Sequence, residues 1–250
     1  MDSSGTKVPL VSGDGRQIPE ELKPLHDYYE KWNNEMVGTW SNVVSEKVRD
    51  IWELNPNLKI SQCIVIGLGS LDIASQMQHV DPLIAGLDHY PTKVKQFIVV
   101  RMTMDYIKEA AHPIKTYFQD PLFTELDKTY LGYHGYKVLE VNSGLDMLDS
   151  TTLLFNMRCS IGDEEWLAIL KAPYPVYAGL SFEHIIEGLM LRKQQAKQYL
   201  AKDMSFDIKD IEDYMNITNA YSFPSLEDHW AFGDFAIRVV KTVHKDHQQS

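Results

Sequence analysis

The chain has 250 residues, 44% of them hydrophobic, and its 24 basic against 35 acidic side chains give a net charge of −11. That length and apolar content support one large α/β domain with a real core, whereas the acidic balance excludes a broad electrostatic footprint for nucleic acid. No apolar run reaches the roughly 20 residues of a bilayer span, residues 1–15 lack the basic-then-apolar order of a signal peptide, and Cys63 and Cys159, both set in apolar strands, point to buried reduced thiols and a cytoplasmic or nuclear setting.

Residues 1–18 are polar and rich in turn formers, so a flexible lead is expected. Pro19 followed by Glu20 and Glu21 suits a helix start. Leu25, Tyr29, Trp32, Met36, Trp40, Val43, Lys47 and Ile51 fall three or four apart and predict a helical extension over 19–54, with a break near Gly38. The Trp32/Trp40 stripe has two readings: packing against the main domain, or a protein-partner surface, which requires exposed indoles. The turn Asn55-Pro56-Asn57 opens an α/β domain predicted over 55–243. Its first strand, at 60–66, is continuously apolar, as a strand covered on both faces must be. A helix start is expected at Asp81-Pro82, then an amphipathic helix over 93–111 that contains the β-branched patch Ile98-Val99-Val100. Residues 114–118 predict a second strand, and 124–134 a helix capped by Thr124 and stopped by Gly135. Strands are predicted at 136–141, 151–157 and 176–180, helices at 164–171, 182–201 and 203–218, and a last strand within 230–243 before a polar tail at 244–250.

Strand alternating with helix predicts a three-layer, Rossmann-like, mostly parallel sheet with right-handed crossovers and an N-terminal helical extension. In such sheets ligands sit outside the carboxyl ends of the strands. The first strand ends there in Gly67-Leu68-Gly69-Ser70, where glycines let backbone N–H groups approach a ligand; the same residues also suit a tight strand-to-helix connection. The full dinucleotide fingerprint is absent, because Asp72 stands where a third glycine belongs.

Four stretches together resemble the SRR-like domain family, named for "sensitivity to red light reduced". They are Gly67-Leu68-Gly69-Ser70, the run Gln119-Asp120-Pro121-Leu122-Phe123-Thr124-Glu125-Leu126-Asp127, Thr151-Thr152-Leu153-Leu154-Phe155, and Trp230-Ala231-Phe232-Gly233-Asp234-Phe235-Ala236. The resemblance spans about residues 55–240 and looks closest to fungal members. It implies an intracellular regulatory protein, with other members linked to light or clock signalling, transcriptional regulation and haem biosynthesis, and it brings no established reaction. Met157-Arg158-Cys159 departs from members with a His before that cysteine, and Gly233 from those with Asn.

The candidate ligand-binding residues are Gly67, Leu68, Gly69, Ser70, Gln119, Asp120 and Asp127. Asp120, at the end of the second strand, suits a ribose hydroxyl, which makes a nucleoside-containing small molecule such as S-adenosylmethionine the expected ligand. The competing reading has Asp120 capping the helix after Pro121 and Asp127 facing solvent. Ser70 is the candidate catalytic nucleophile, as in cyclodipeptide-synthase-like aminoacyl transfer, or else a helix cap. The function classes left open are a ligand-binding regulatory protein, an S-adenosylmethionine-dependent methyltransferase, an acyl-transfer enzyme and a protein-interaction module. His229, His244 and His247 show no metal-ligand spacing, so no metal is expected.

Overall fold

The structure is a computed structural model describing residues 17–72, 91–110, 113–141, 143–157, 163–172, 174–183, 185–187, 190, 208–222 and 235–241. The expected lead up to residue 16, the Asp81-Pro82 helix start, Cys159, most of the 182–201 helix, residues 230–234 and the tail lie outside these. After a 3-10 turn (Glu20–Leu22) the elements are α1 (Lys23–Leu54), β1 (Gln62–Ile66), α2 (Pro91–Ala110), β2 (Lys115–Gln119), α3 (Glu125–Tyr133), β3 (Lys137–Val138), α4 (Ser143–Asp146), β4 (Thr152–Asn156), α5 (Asp163–Lys171), β5 (Val176–Leu180), α6 (Ile208–Asn216), β6 (Thr218–Ser222) and β7 (Phe235–Val240).

The seven strands form one sheet in the order β3-β2-β1-β4-β5-β7-β6. Strands β1 to β5 pair in parallel, and β7 runs antiparallel to both β5 and β6. The architecture is therefore α/β and Rossmann-like, with the order reversing between β1 and β4, where such sheets open a crevice at their carboxyl ends. Side chains alternate across the sheet. Cys63 and Val65 join the core under α1, α2 and α3, while Ile64 and Ile66 join the core under α5 and α6.

Three expectations are corrected. The helix runs unbroken through Gly38, which is exposed, so the glycine costs helix propensity but does not interrupt the helix. Ile18, assigned to the flexible lead, is buried in the first core. Trp40 is only 8% exposed and Trp32 packs against the core beneath the Lys31 and Lys95 ammonium groups, 5.0 and 4.5 Å from its ring centre, which removes the exposed-tryptophan basis for an interaction module. Among the described residues no helix is long and apolar enough to cross a membrane.

On the second face, Arg238 of β7 is buried over the Phe182 ring and donates to the Glu183 carboxylate at 2.6 Å. Burial alone would raise the Glu183 pKa, but hydrogen bonds from backbone N–H and from Arg238 hold it below its ordinary 4.5. A carboxyl with a depressed folded-state pKa contributes stability above its unfolded pKa and loses it as pH falls through the folded value. The Glu183→Gln variant is thus expected to be less stable than wild type at pH 7 and to converge with it well below pH 4.5, as read by urea midpoints.

Candidate functional site

β1 stops because Gly67 and Gly69 take φ of 70° and 76°, a left-handed conformation that other residues adopt at a cost. Space also restricts position 69: a Cβ there would lie 2.9 Å from Cε of Lys93, in the first turn of α2. The turn's donors then meet two carboxylates from the loop and helix after β2. Asp120 Oδ2 accepts from Gly69 N–H at 2.7 Å, and its Oδ1 from Leu122 N–H at 2.8 Å. Asp127 Oδ1 accepts from Leu71 and Asp72 N–H, both at 2.9 Å, and its Oδ2 from the Ser70 hydroxyl at 2.7 Å and Thr124 N–H at 2.8 Å.

Asp127 occupies its place because α3 begins with a capping box: Thr124 Oγ1 accepts from Asp127 N–H, and the Asp127 carboxylate returns to Thr124 N–H. This carboxylate is 0% exposed, which overturns the reading that it faces solvent. Negative charge at a helix N-terminus is favourable, and a buried carboxylate is tolerable when donors surround it. One side chain therefore caps α3 and pins the turn after β1.

Ser70 is 6% exposed, and its hydroxyl donates to Asp127 while accepting from Asp72 N–H at 3.1 Å. The bond from the N–H two residues on makes a serine turn, and the hydroxyl proton is committed to Asp127, in a clasp between the glycine turn and the start of α3. Leu68 turns its side chain into the core. The Gln119 carbonyl accepts from Gly67 N–H, and its Oε1 accepts from Gly144 N–H at 2.7 Å, directing that amide toward α4. Of the predicted residues Asp120 alone is half-buried; Gly67 and Gly69 are buried, with their N–H groups given to the Gln119 carbonyl and to Asp120. Sequence reasoning did not select Asp72, Thr124 or Lys93 as part of the arrangement. Only Thr124 left a local sign of it, the Thr-x-x-Asp spacing of a capping box.

Cys63 lies buried in β1, and burial pushes its thiol far above the ordinary range, against a small opposing effect of Lys108. It is a packing residue with little thiolate at neutral pH. A groove of about 380 Å³ opens at the opposite rim, lined by Asn55, Lys59, Thr151, Pro175 and Lys241 among others. None of the predicted site residues lines it.

The fold is similar to that of two solved structures, and neither likeness carries weight for ligand or reaction. One is described as a "putative S-adenosyl-L-methionine-dependent methyltransferase" from Methanococcus maripaludis, at 10% identity and TM-score 0.36 over 91% of this chain and 96% of that one. The other is loganic acid methyltransferase with SAH, at 10% identity and TM-score 0.31 over 78% and 75%. Among curated proteins none matches in sequence. The SRR1 domain model matches residues 41–238, from the middle of α1 through Arg238 in β7 and so across the whole clasp. The chain belongs to the SRR1 domain family.

Proposed function

We propose that this SRR1-domain protein is a regulatory protein that binds a small nucleoside-like ligand where β1 and β2 end. One observation carries the reading. The Asp120 carboxylate, half-buried at the end of β2, is braced by one backbone N–H on each oxygen. A carboxylate has about four acceptor positions, so each oxygen keeps one for a hydroxyl. A ribose diol offers two donors of matching spacing, and an acid at the end of the second strand of a doubly wound sheet serves that purpose elsewhere. S-adenosylmethionine is a nucleoside that suits this order of strand, glycine turn, helix, strand and acid. A methyltransferase would use the same crevice, but among the described residues none at the rim argues for methyl transfer. Aminoacyl transfer through Ser70 is disfavoured by the hydroxyl's burial and its bond to Asp127.

The test is a thermal-shift screen of the full chain with S-adenosylmethionine, S-adenosylhomocysteine, ATP, NAD and haem. A ligand at 100 times its Kd adds about 2.7 kcal/mol of stability. A shift with at least one nucleoside, lost in Asp120→Ala, is the expected result. No shift from any nucleoside would sink the reading in favour of a scaffold.

A further inference from the structure

We infer that the crevice takes a nucleoside with no phosphate set against the glycine turn and turns phosphorylated nucleotides away. This rests on the nucleoside reading and deepens it. Glycine turns that cradle phosphates leave their backbone N–H groups aimed at the ligand, often with a helix N-terminus behind them. Here those donors point inward. Gly69 N–H is given to Asp120, and the N–H groups of Leu71 and Asp72 to Asp127. The dipoles that would hold a phosphate are already neutralised by two of the protein's own carboxylates.

The charge around the turn has the same sign. Asp127 is fully buried, where mobile ions screen poorly, Asp120 is half-buried, and Asp72 adds a third carboxylate at the end of the turn. Among the described residues the cation lying against the turn is Lys93, whose side chain covers Gly69. Among the described residues the carboxylates at the turn outnumber the ammonium, a balance that opposes a phosphate. The same balance tolerates a neutral 5′ group and attracts a cationic one, such as a sulfonium or an ammonium. Leu122, 59% exposed and tethered through its N–H to Asp120, offers the base an apolar surface beside the ribose contact.

Adenosine and 5′-AMP differ by the phosphate alone and make the test, with Kd measured by calorimetry on the full chain. Adenosine is expected to bind at least about 10-fold more tightly than 5′-AMP. That ratio should shrink as salt rises from about 0.05 to 0.5 M, because screening weakens the repulsion of the partly exposed charges, and it should shrink again in Asp120→Asn. If 5′-AMP binds as well as adenosine or better, the inference is overturned while the nucleoside reading stands. A preference that ignores both salt and Asp120→Asn also overturns it, since charge would then not be the cause. Binding of neither probe removes the inference together with the reading it rests on.

Discussion

Replacing Asp127 with Ala is expected to destabilise the protein by about 3–5 kcal/mol, the range for removing one partner of a buried charged network. The substitution strips Leu71, Asp72 and Thr124 of the acceptor for their N–H groups and the Ser70 hydroxyl of its own. Each donor left buried without a partner costs about 1–3 kcal/mol, offset where water can enter. For a chain of this size the Tm should fall by about 10 °C. Asp127→Asn keeps one acceptor oxygen and should recover part of the loss. Thr124→Ala, which removes only the cap hydroxyl, should cost about 1 kcal/mol. Urea unfolding of the three variants checks the order, and an Asp127→Ala cost below that of Thr124→Ala would refute the clasp.

Phe97→Ala should be comparably damaging, at about 3–5 kcal/mol, for a different reason. Phe97 of α2 is fully buried, with its ring centre 5.7 Å from Tyr29 of α1, 5.8 Å from Phe118 of β2, 6.3 Å from Tyr130 of α3 and 6.0 Å from Tyr136. These rings stand mostly edge to face, an arrangement that contributes beyond area alone. The surroundings are held by Arg101, whose guanidinium lies over the Tyr29 ring and donates to its hydroxyl at 2.8 Å. Burial pushes the Tyr29 phenol up to about 12 against the lowering effect of Arg101, so it stays protonated at physiological pH and can donate to Asn33 Oδ1. A cavity at Phe97 cannot collapse easily between four elements. Phe97→Leu, which keeps most of the volume, should cost much less, and equal losses for the two variants would argue against a cavity origin.

Local chemistry made much of this legible in the chain. Thr124 caps α3 as expected, Gly135 closes it with φ 80°, and β1, β2 and β5 lie within a residue or two of their predicted places. The β-branched patch at 98–100 is helical and buried, because packing outweighs a small propensity deficit. What failed depended on distant partners. β3 is only Lys137–Val138, because β2 pairs with it only at Tyr117 and Phe118. β6 has no apolar run to announce it and exists by antiparallel pairing with β7. On α1 the buried stripe passes through Val44 and Val48, not the Val43 and Lys47 read from spacing. In the site, the glycine turn and its two acids were each visible, but hydrogen bonds spanning 51 to 57 residues were not.

The length of α1 bears on where the physical unit starts. At 1.5 Å per residue its 32 residues extend about 48 Å, and Leu25, Tyr29, Met36 and Trp40, all buried, precede the residues that define family membership. Trimming the polypeptide to the matched span would sever the helix midway and remove Tyr29 from beside Phe97 of α2. The cooperative folding unit is therefore longer than its evolutionary signature, and begins no later than Ile18.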